Sequence, residues 1–339
     1  MNTPASSRPV LLRSSLAHAR GARAACAPLP RGLGPIPARN QHPVQLTVLH
    51  LDPVPAATHP AGEASVRLDT AYSSLWLSGN GNGNRFAMDG EMLRAALDLR
   101  VGLGAGLELE LGLPVGYASG GRLDGFVTGW HDFWGLPDQG RDTYPEDAFA
   151  VRAERGAVTA YDLEANAFQA MDLPIGLRQE ILSKGPAHIA VRAAIELPTG
   201  DDDAGFGNGE LDVALGAVAD LRWEDFGVFA HAHHTFAGTP GRAKAAGLAY
   251  RDVTAVGLGV DYRLFAGFTL HLQAQWETST LRGLGFDRVA DPHLLLWSGG
   301  RFALGPRTFL ELGIGEDLMP YISPDFSVWA AVGTSFGGS

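Results

Sequence analysis

Few residues in this chain have the type and spacing to do chemistry. His231 and His233 share one face of an extended run with Phe229 and Thr235. Alternate residues of a strand are neighbours on one face, so the two imidazoles could begin a metal site, but no third or fourth ligand can be named. Histidines that wet a polar interior are the competing reading. His233 could also serve as the base of a serine hydrolase, yet no serine is placed beside it by spacing. Asp201, Asp202 and Asp203 with Asn208 and Glu210 offer oxygens for calcium, though not at EF-hand spacing, and acidic loop tips are ordinarily solvated. The run from Gly79 to Asn84 is glycine-rich like a phosphate cradle but lacks the lysine-bearing helix, and reads as a flexible outer loop. None of these is an enzymatic signature, and no cofactor or metal is implied.

The elements that carry these residues show period two from about residue 64 onward, the mark of strands with one apolar face. Strands are expected near 64–77, 88–102, 105–117, 168–183, 187–198, 210–224, 226–237, 249–265, 267–280, 292–304, 306–315 and 325–336. Most exceed the usual five or six residues and suit tilted membrane strands of roughly nine to eleven. Tight links (Gly104 to Gly106, Lys184 to Pro186, Glu224-Asp225, Ala266-Gly267, Gly305-Pro306) alternate with long ones at 118–167, 199–209, 238–248, 281–291 and 316–324. Twelve antiparallel strands with alternating short turns and long loops describe a transmembrane β-barrel. Its polar face would line the lumen: Arg67, Asp69, Asp98, Arg100, Glu108, Glu110, Asp172, Arg178, Glu180, Arg192, Glu196, Asp220, Arg222, His231, His233, Asp261, Arg263, His271, Glu277, Arg301, Arg307 and Glu311. Antiparallel register would set Arg100 near Glu108 and Arg178 near Arg192, with Glu180 beside them. Aromatics cluster at both strand ends as interfacial belts should. Tyr72, Trp76, Tyr117, Phe236, Tyr250, Trp276 and Phe326 fall on the loop side, and Trp223, Phe226, Phe265, Phe268, Phe302 and Phe336 on the turn side. A soluble β-sandwich also alternates, but it accounts neither for the strand lengths nor for the two belts.

Composition agrees. Of 339 residues only 19% are charged, the net charge is −11, and Lys184 and Lys244 are the only lysines. Residues 1–39 hold six arginines and no acid, so the remainder is more acidic still, which excludes a nucleic-acid partner. That basic leader could be an export signal, although Arg20 and Arg23 interrupt its apolar stretch. Cys26, the single cysteine, lies within it and is a poor lipid-anchor site because Arg23 stands where an apolar residue belongs. No run reaches the roughly 18 to 20 apolar residues of a spanning helix. Residues 40–63 form a separate N-terminal segment whose stretch 43–51 could be a plug, a pairing strand or part of a fourteen-strand count.

One long loop, 118–167, breaks the pattern. Leu123, Phe126, Val127, Trp130, Phe133 and Trp134 recur at helical spacing, predicting an amphipathic helix over 121–134 stopped at Gly135 and Pro137. It either folds into or over the barrel mouth and narrows it, with Trp130 and Trp134 lining a path for apolar or amphiphilic solutes, or it lies on the membrane surface or caps the barrel structurally, burying the same residues for stability. Asp124, the His131-Asp132-Phe133 step, Gly135-Leu136-Pro137 and Gly140-Arg141 together resemble an uncharacterised, domain-of-unknown-function family of Gram-negative outer-membrane β-barrel proteins. The stretch from Gly34 to Gln41, and Leu197 to Asp201 leading to Gly207 to Gly209, are similar to the same family. The resemblance covers roughly 34–336 and implies a barrel in the outer membrane; it brings no activity or catalytic residues. The last strand, Phe326 to Phe336, resembles the signal read by barrel-assembly machinery, with three residues following it. The expected partners are that machinery, the lipid bilayer and lipopolysaccharide, and a small solute of unknown identity. The expected role is a narrow passive channel or transporter; a closed-lumen structural or binding protein is the alternative, and a lipid-modifying enzyme a more distant one.

Overall fold

A computed structural model describes residues 34–337 apart from 137–139, 142–144, 286 and 320–321; the basic leader up to 33, with Cys26, and Pro137 lie outside the described residues. The strands, in chain order, are β1 (Ala64–Gly81), β2 (Asn84–Gly104), β3 (Leu107–Ser119), β4 (Ala150–Arg155), β5 (Val158–Asp162), β6 (Phe168–Ala170), β7 (Leu173–Lys184), β8 (Ala187–Leu197), β9 (Asp212–Arg222), β10 (Phe226–Phe236), β11 (Val253–Phe265), β12 (Phe268–Glu277), β13 (His293–Ala303), β14 (Thr308–Asp317) and β15 (Phe326–Phe336). Four helices join them: α1 (Pro43–Leu46), α2 (Asp124–Trp134), α3 (Gly241–Ala245) and α4 (Asp287–Ala290).

Twelve of these strands close a ring, β1-β2-β3-β7 and onward to β15, every neighbour antiparallel. Closure is made by β1 on β15, from Ala64 opposite Phe336 to Ser74 opposite Phe326. A closed ring leaves no unpaired edge, which is the condition for strands to lie in hydrocarbon. Alternation then does the sorting. On β11, Val256 and Leu258 are about half exposed on the outer wall while Ala255 and Asp261 are buried inside. A soluble sandwich has the reverse arrangement, with polar side chains outward.

The register across Lys184-Gly185 places Arg178 opposite Arg192, as expected. Across Gly104 a bulge intervenes, so Arg100 faces Glu110, and Glu108 faces Gly102. β1 and β2 run on beyond the ring, to a turn at Asn82 and Gly83 with φ of 52° and 78°. Two successive positive φ values make the tight turn that matches strand twist, so 79–84 is a hairpin tip and not a flexible loop. The projecting half of β2 carries β4, and β4 carries β5.

Residues 34–60 run inside the ring. The segment is U-shaped: an ascending leg to about 42, the single helical turn α1, and a descending leg from 48. It pairs with no strand, so the count stays at twelve. Residues 34–39, grouped with the leader by composition, are continuous with it and buried. Above the ring the long loops close over an apolar core that joins Val44, Leu46 and Val48 to Phe86, Met88 and Leu75, and to Phe206, Tyr250 and Leu284. Tyr250 and Trp76, placed in the loop-side belt by sequence, are buried here or beneath α2; Phe236 and Trp276 remain exposed, as do Trp223, Phe265 and Phe336 at the turn end.

Candidate functional site: a lumen filled by its own chain

Most of the side chains that alternation assigns to the lumen are buried in the structure, and most of these are engaged. At the turn end Asp261 Oδ2 accepts the Gly34 amide at 2.6 Å, and Gln273 exchanges hydrogen bonds with the Ile36 backbone. Higher up, Asn40 Nδ2 donates to the Ile322 carbonyl and lies 2.9 Å from His293 Nε2. Gln45 donates to Glu277 Oε1 at 2.6 Å and accepts from the Thr280 amide at 2.8 Å. The descending leg mirrors this. The Leu49 and Ala56 amides donate to Asp212 and Asp220 at 3.0 and 2.6 Å. Arg192 donates to the Asp52 carbonyl at 2.6 Å, Arg178 to the Pro55 carbonyl, and the His59 amide to Glu108 at 2.7 Å.

Among the wall charges, Arg178 pairs with Glu108, Arg192 with Glu110 at 2.7 Å, Arg222 with Asp220 at 2.5 Å, and Arg67 with Asp69 and Glu311 at 2.8 and 2.5 Å. Arg301 also meets Glu311, and Glu180 takes His188 rather than an arginine. A charge in a low-dielectric interior is tolerable only with such partners. Glu196 and His271 are buried in the same wall. Asp98 and Arg100 border the cavity at the turn end. Arg263 and Arg307 sit toward the turns, Arg263 against Asp225 and Arg307 donating to the Gly337 carbonyl. Asp172 departs from expectation: its carboxylate holds the 199–209 loop through the Gly200 and Asn208 amides at 2.8 and 2.9 Å, against a pKa raised by burial.

On the inserted segment itself, His50 lies 2.7 Å from Asp52 and 3.4 Å from Glu277, and its ring stands edge-on to His233 at 4.4 Å. Burial alone would lower the His50 pKa; its two carboxylate partners outweigh this and leave it raised, while burial notwithstanding His50 and Arg39 hold Asp52 below the usual carboxylate range. His42, buried without such a partner and near His293, is pushed down to about 3. Thus His233 meets another histidine from the segment, not a serine. A Gly-x-Ser-x-Gly spacing does occur at Gly333 to Gly337, but Ser335 lies within β15 opposite Ser65, not on a strand-to-helix elbow. The acidic tip disperses into structural bonds: Asp201 with the Ala204 amide, Asp203 with Arg242, Glu210 with Lys244.

The loop motif forms a second cluster, on the outside of the ring. α2 ends at Gly135 with φ of 68°, the left-handed cap that glycine favours. Its Phe126 meets Phe326 edge-on and Trp130 lies tilted against the same ring, while Trp130 Nε1 donates to Glu316 Oε2 at 3.2 Å. Phe326 and Glu316 are partners on the outward face of β14 and β15. The helix therefore lies against the outer wall, with Phe133 and Trp134 exposed, and does not line a path through the mouth. Arg141 fastens it: Nη1 donates to Asp124 Oδ1 at 2.8 Å and Ser74 Oγ at 2.9 Å, and Nη2 to Asp325 Oδ2 at 3.0 Å. Burial pushes Asp325 up to about 7 in spite of that arginine. His131 is buried, 3.5 Å from Glu316 Oε1, while Asp132 borders an outer recess with Asp89 and Glu146. Gly140 turns the chain at φ of 88° immediately before Arg141.

Fold and interior together define a closed twelve-stranded antiparallel barrel of outer-membrane type, occupied by its own N-terminal segment. The chain belongs to the family described as Protein of unknown function (DUF3187), whose model matches residues 22–337. No protein of curated function is similar to it in sequence. Among solved structures it is similar to an outer membrane channel from Pseudomonas putida F1, with 15% identity, a TM-score of 0.56, 85% of this chain covered and 100% of the other. The NanC porin aligns over 81% of this chain and 100% of its own at 7% identity and a TM-score of 0.46. The P. putida toluene transporter TodX aligns over 83% and 92% at 12% identity and a TM-score of 0.37.

Proposed function

We propose that this protein is a gated outer-membrane channel for small solutes, in which residues 34–60 act as a displaceable plug. The observation that carries the reading is the chemistry of the seam between segment and wall. Along both legs it carries hydrogen bonds between Asp261, Gln273, Glu277, Asp212, Asp220 and Arg192 and groups that water could also satisfy. These are interspersed with small apolar contacts of Ile36, Leu49, Leu51 and Val54 and with the larger cluster under the dome around Val44, Leu46 and Val48. Polar contacts that water can replace are worth about 0.5–1.5 kcal/mol net each, and the ring is closed by its own strand pairing and not by the segment, so release would cost the apolar contacts under the dome without opening the barrel. By the asymmetry of short turns and long loops, the turn end faces the periplasm and the dome faces outward. Recordings in planar bilayers test this. The intact chain should give rare, brief openings, and a chain lacking 40–60 that still shows heat-modifiable migration should give sustained ones. A folded deletion with no conductance would make the protein a closed-lumen binding or structural barrel.

A further inference from the structure

At the turn end the lumen opens into a cavity of about 270 Å³ that the wall ion pairs do not explain. One side is built from the inserted segment. Pro35 and Pro37 on the ascending leg and Pro53 and Pro55 on the descending leg all border it. Residues two apart on extended chain share a face, so both legs present prolines to the same space. Proline has no N–H to offer, so this wall is mainly apolar, the segment adding one polar side chain, His59, which is bound to Glu108. The opposite wall carries four arginines, Arg67, Arg100, Arg301 and Arg307, beside one acid, Asp98. Arg67 and Arg301 lie over the Phe309 ring at 5.5 and 5.2 Å and share Glu311 beneath them.

Arg100 is different. It borders the cavity from β2 and makes no ion pair among the described residues. The two carboxylates nearest in register are already taken, Glu108 by Arg178 and His59, and Glu110 by Arg192 and Arg178. Ligand sites are concave, largely apolar and carry a few convergent polar groups; a cation that feels Glu108 and Glu110 but makes no close ion pair with either, at the rim of an apolar cleft, fits that description.

We infer that this cavity binds a single-chain amphiphile with an anionic head group, the head group on Arg100 and the tail along the four prolines and Phe309. The inference goes beyond the gating reading and does not depend on it, because the cavity exists with the segment seated.

The test uses the full chain in nanodiscs, titrated calorimetrically with octanoate, octyl phosphate, octanol and inorganic phosphate. Octanoate or octyl phosphate should bind saturably at one site, and which of them binds identifies the head group as carboxylate or phosphate. Octanol should bind at least about tenfold more weakly, as should octanoate to Arg100→Gln, whereas Arg100→Lys should stay within about threefold of the parent. Equal binding of octanol, competition by inorganic phosphate as strong as by octanoate, or an unchanged Arg100→Gln would overturn the proposal. If Arg100→Gln loses heat-modifiable folding, a diazirine-bearing octanoate on the parent chain decides: labels on 34–55 or 301–309 support the site, and labels confined elsewhere refute it.

Discussion

Replacing Arg141 with glutamine should release α2 from the barrel wall, by an amount that depends on pH. Three bonds are lost, to Asp124, Ser74 and Asp325, at 2.8, 2.9 and 3.0 Å. Removing one member of a buried ion pair commonly costs about 3–5 kcal/mol, but two features lower that figure here. Asp325 already has a pKa of about 7, so near neutrality it takes up a proton and sheds its stranded charge at little cost. Asp124 keeps the Asp147 amide as a donor at 2.8 Å. The remaining loss is about 2–3 kcal/mol at pH 7, from the guanidinium's bonds to the Asp124 carboxylate and the Ser74 hydroxyl, part of which the glutamine amide can replace. The sign with pH follows. A carboxyl whose folded pKa is raised favours the folded state at low pH, and that benefit is lost as pH climbs from about 4 to about 7. Above this Asp325 is ionised and depends on Arg141, so the substitution should be more damaging at pH 8.5 than at pH 5.5. Hydrogen exchange of the α2 amides reads it directly. Protection should fall about 30- to 150-fold at pH 7 after correction for intrinsic rates, less at pH 5.5 and more at pH 8.5. Exchange within threefold of the parent at both extremes would refute the clamp.

Other perturbations probe separate parts of the molecule. His50, raised by Asp52 and Glu277, stabilises the seated segment below the pKa of the released imidazole and ceases to do so as pH rises through its seated value; protection of amides 45–52 should therefore drop from pH 6 to pH 9, and His50→Gln should flatten that dependence. Leu258, 57% exposed at the middle of β11, should meet hydrocarbon. Leu258→Arg is then expected to lower urea stability in liposomes by about 2–4 kcal/mol, and an unchanged midpoint would place that face in water. Gly83 holds φ of 78° in the projecting hairpin, where a β-branched side chain is strained; Gly83→Val should cost about 1–2 kcal/mol, seen as faster proteolysis of the tip without loss of the heat-modifiable band.

The ring was legible because its instructions are local. Leu107 to Leu111 with Glu108 and Glu110, or Leu270 and Leu272 with His271 and Gln273, state which face is wet without reference to the rest of the chain. The helix at Asp124 and its stop at Gly135 were local in the same way. What the sequence could not state was where these elements go. Nothing in Phe126 or Trp130 says whether an amphipathic helix folds over a mouth or along a wall; the decision rests with Phe326 and Glu316, some two hundred residues away. The extent of the inserted segment is not legible in the sequence for a related reason. Its bonds reach Asp261, Asp212 and Glu108 from an unpatterned, proline-rich stretch, so period alone marks it only as something that is not a barrel strand. Arg94, buried in the lumen, continues the alternation of Asp98 and Arg100 and is legible in the same way as they are. The asparagine-glycine pair at 82–83 was a readable hairpin signal hidden among other glycines.

The U-shaped segment also constrains how the molecule is assembled. An empty ring would present Asp261, Asp212, Asp220 and Glu277 to the lumen with fewer of the partners they have in the finished protein. The segment precedes β1 in the chain, so it is synthesised before any strand that surrounds it, whereas the β1–β15 seam is the pairing of greatest sequence separation and the slowest kind to form. The segment can therefore serve as a mandrel around which successive hairpins are wound, its ascending leg matched to β11, β12 and β13 and its descending leg to β8, β9 and β3. On this view a substitution at Gln45 or Ala56 would slow the final zipping of the ring more than it lowers the stability of the closed form.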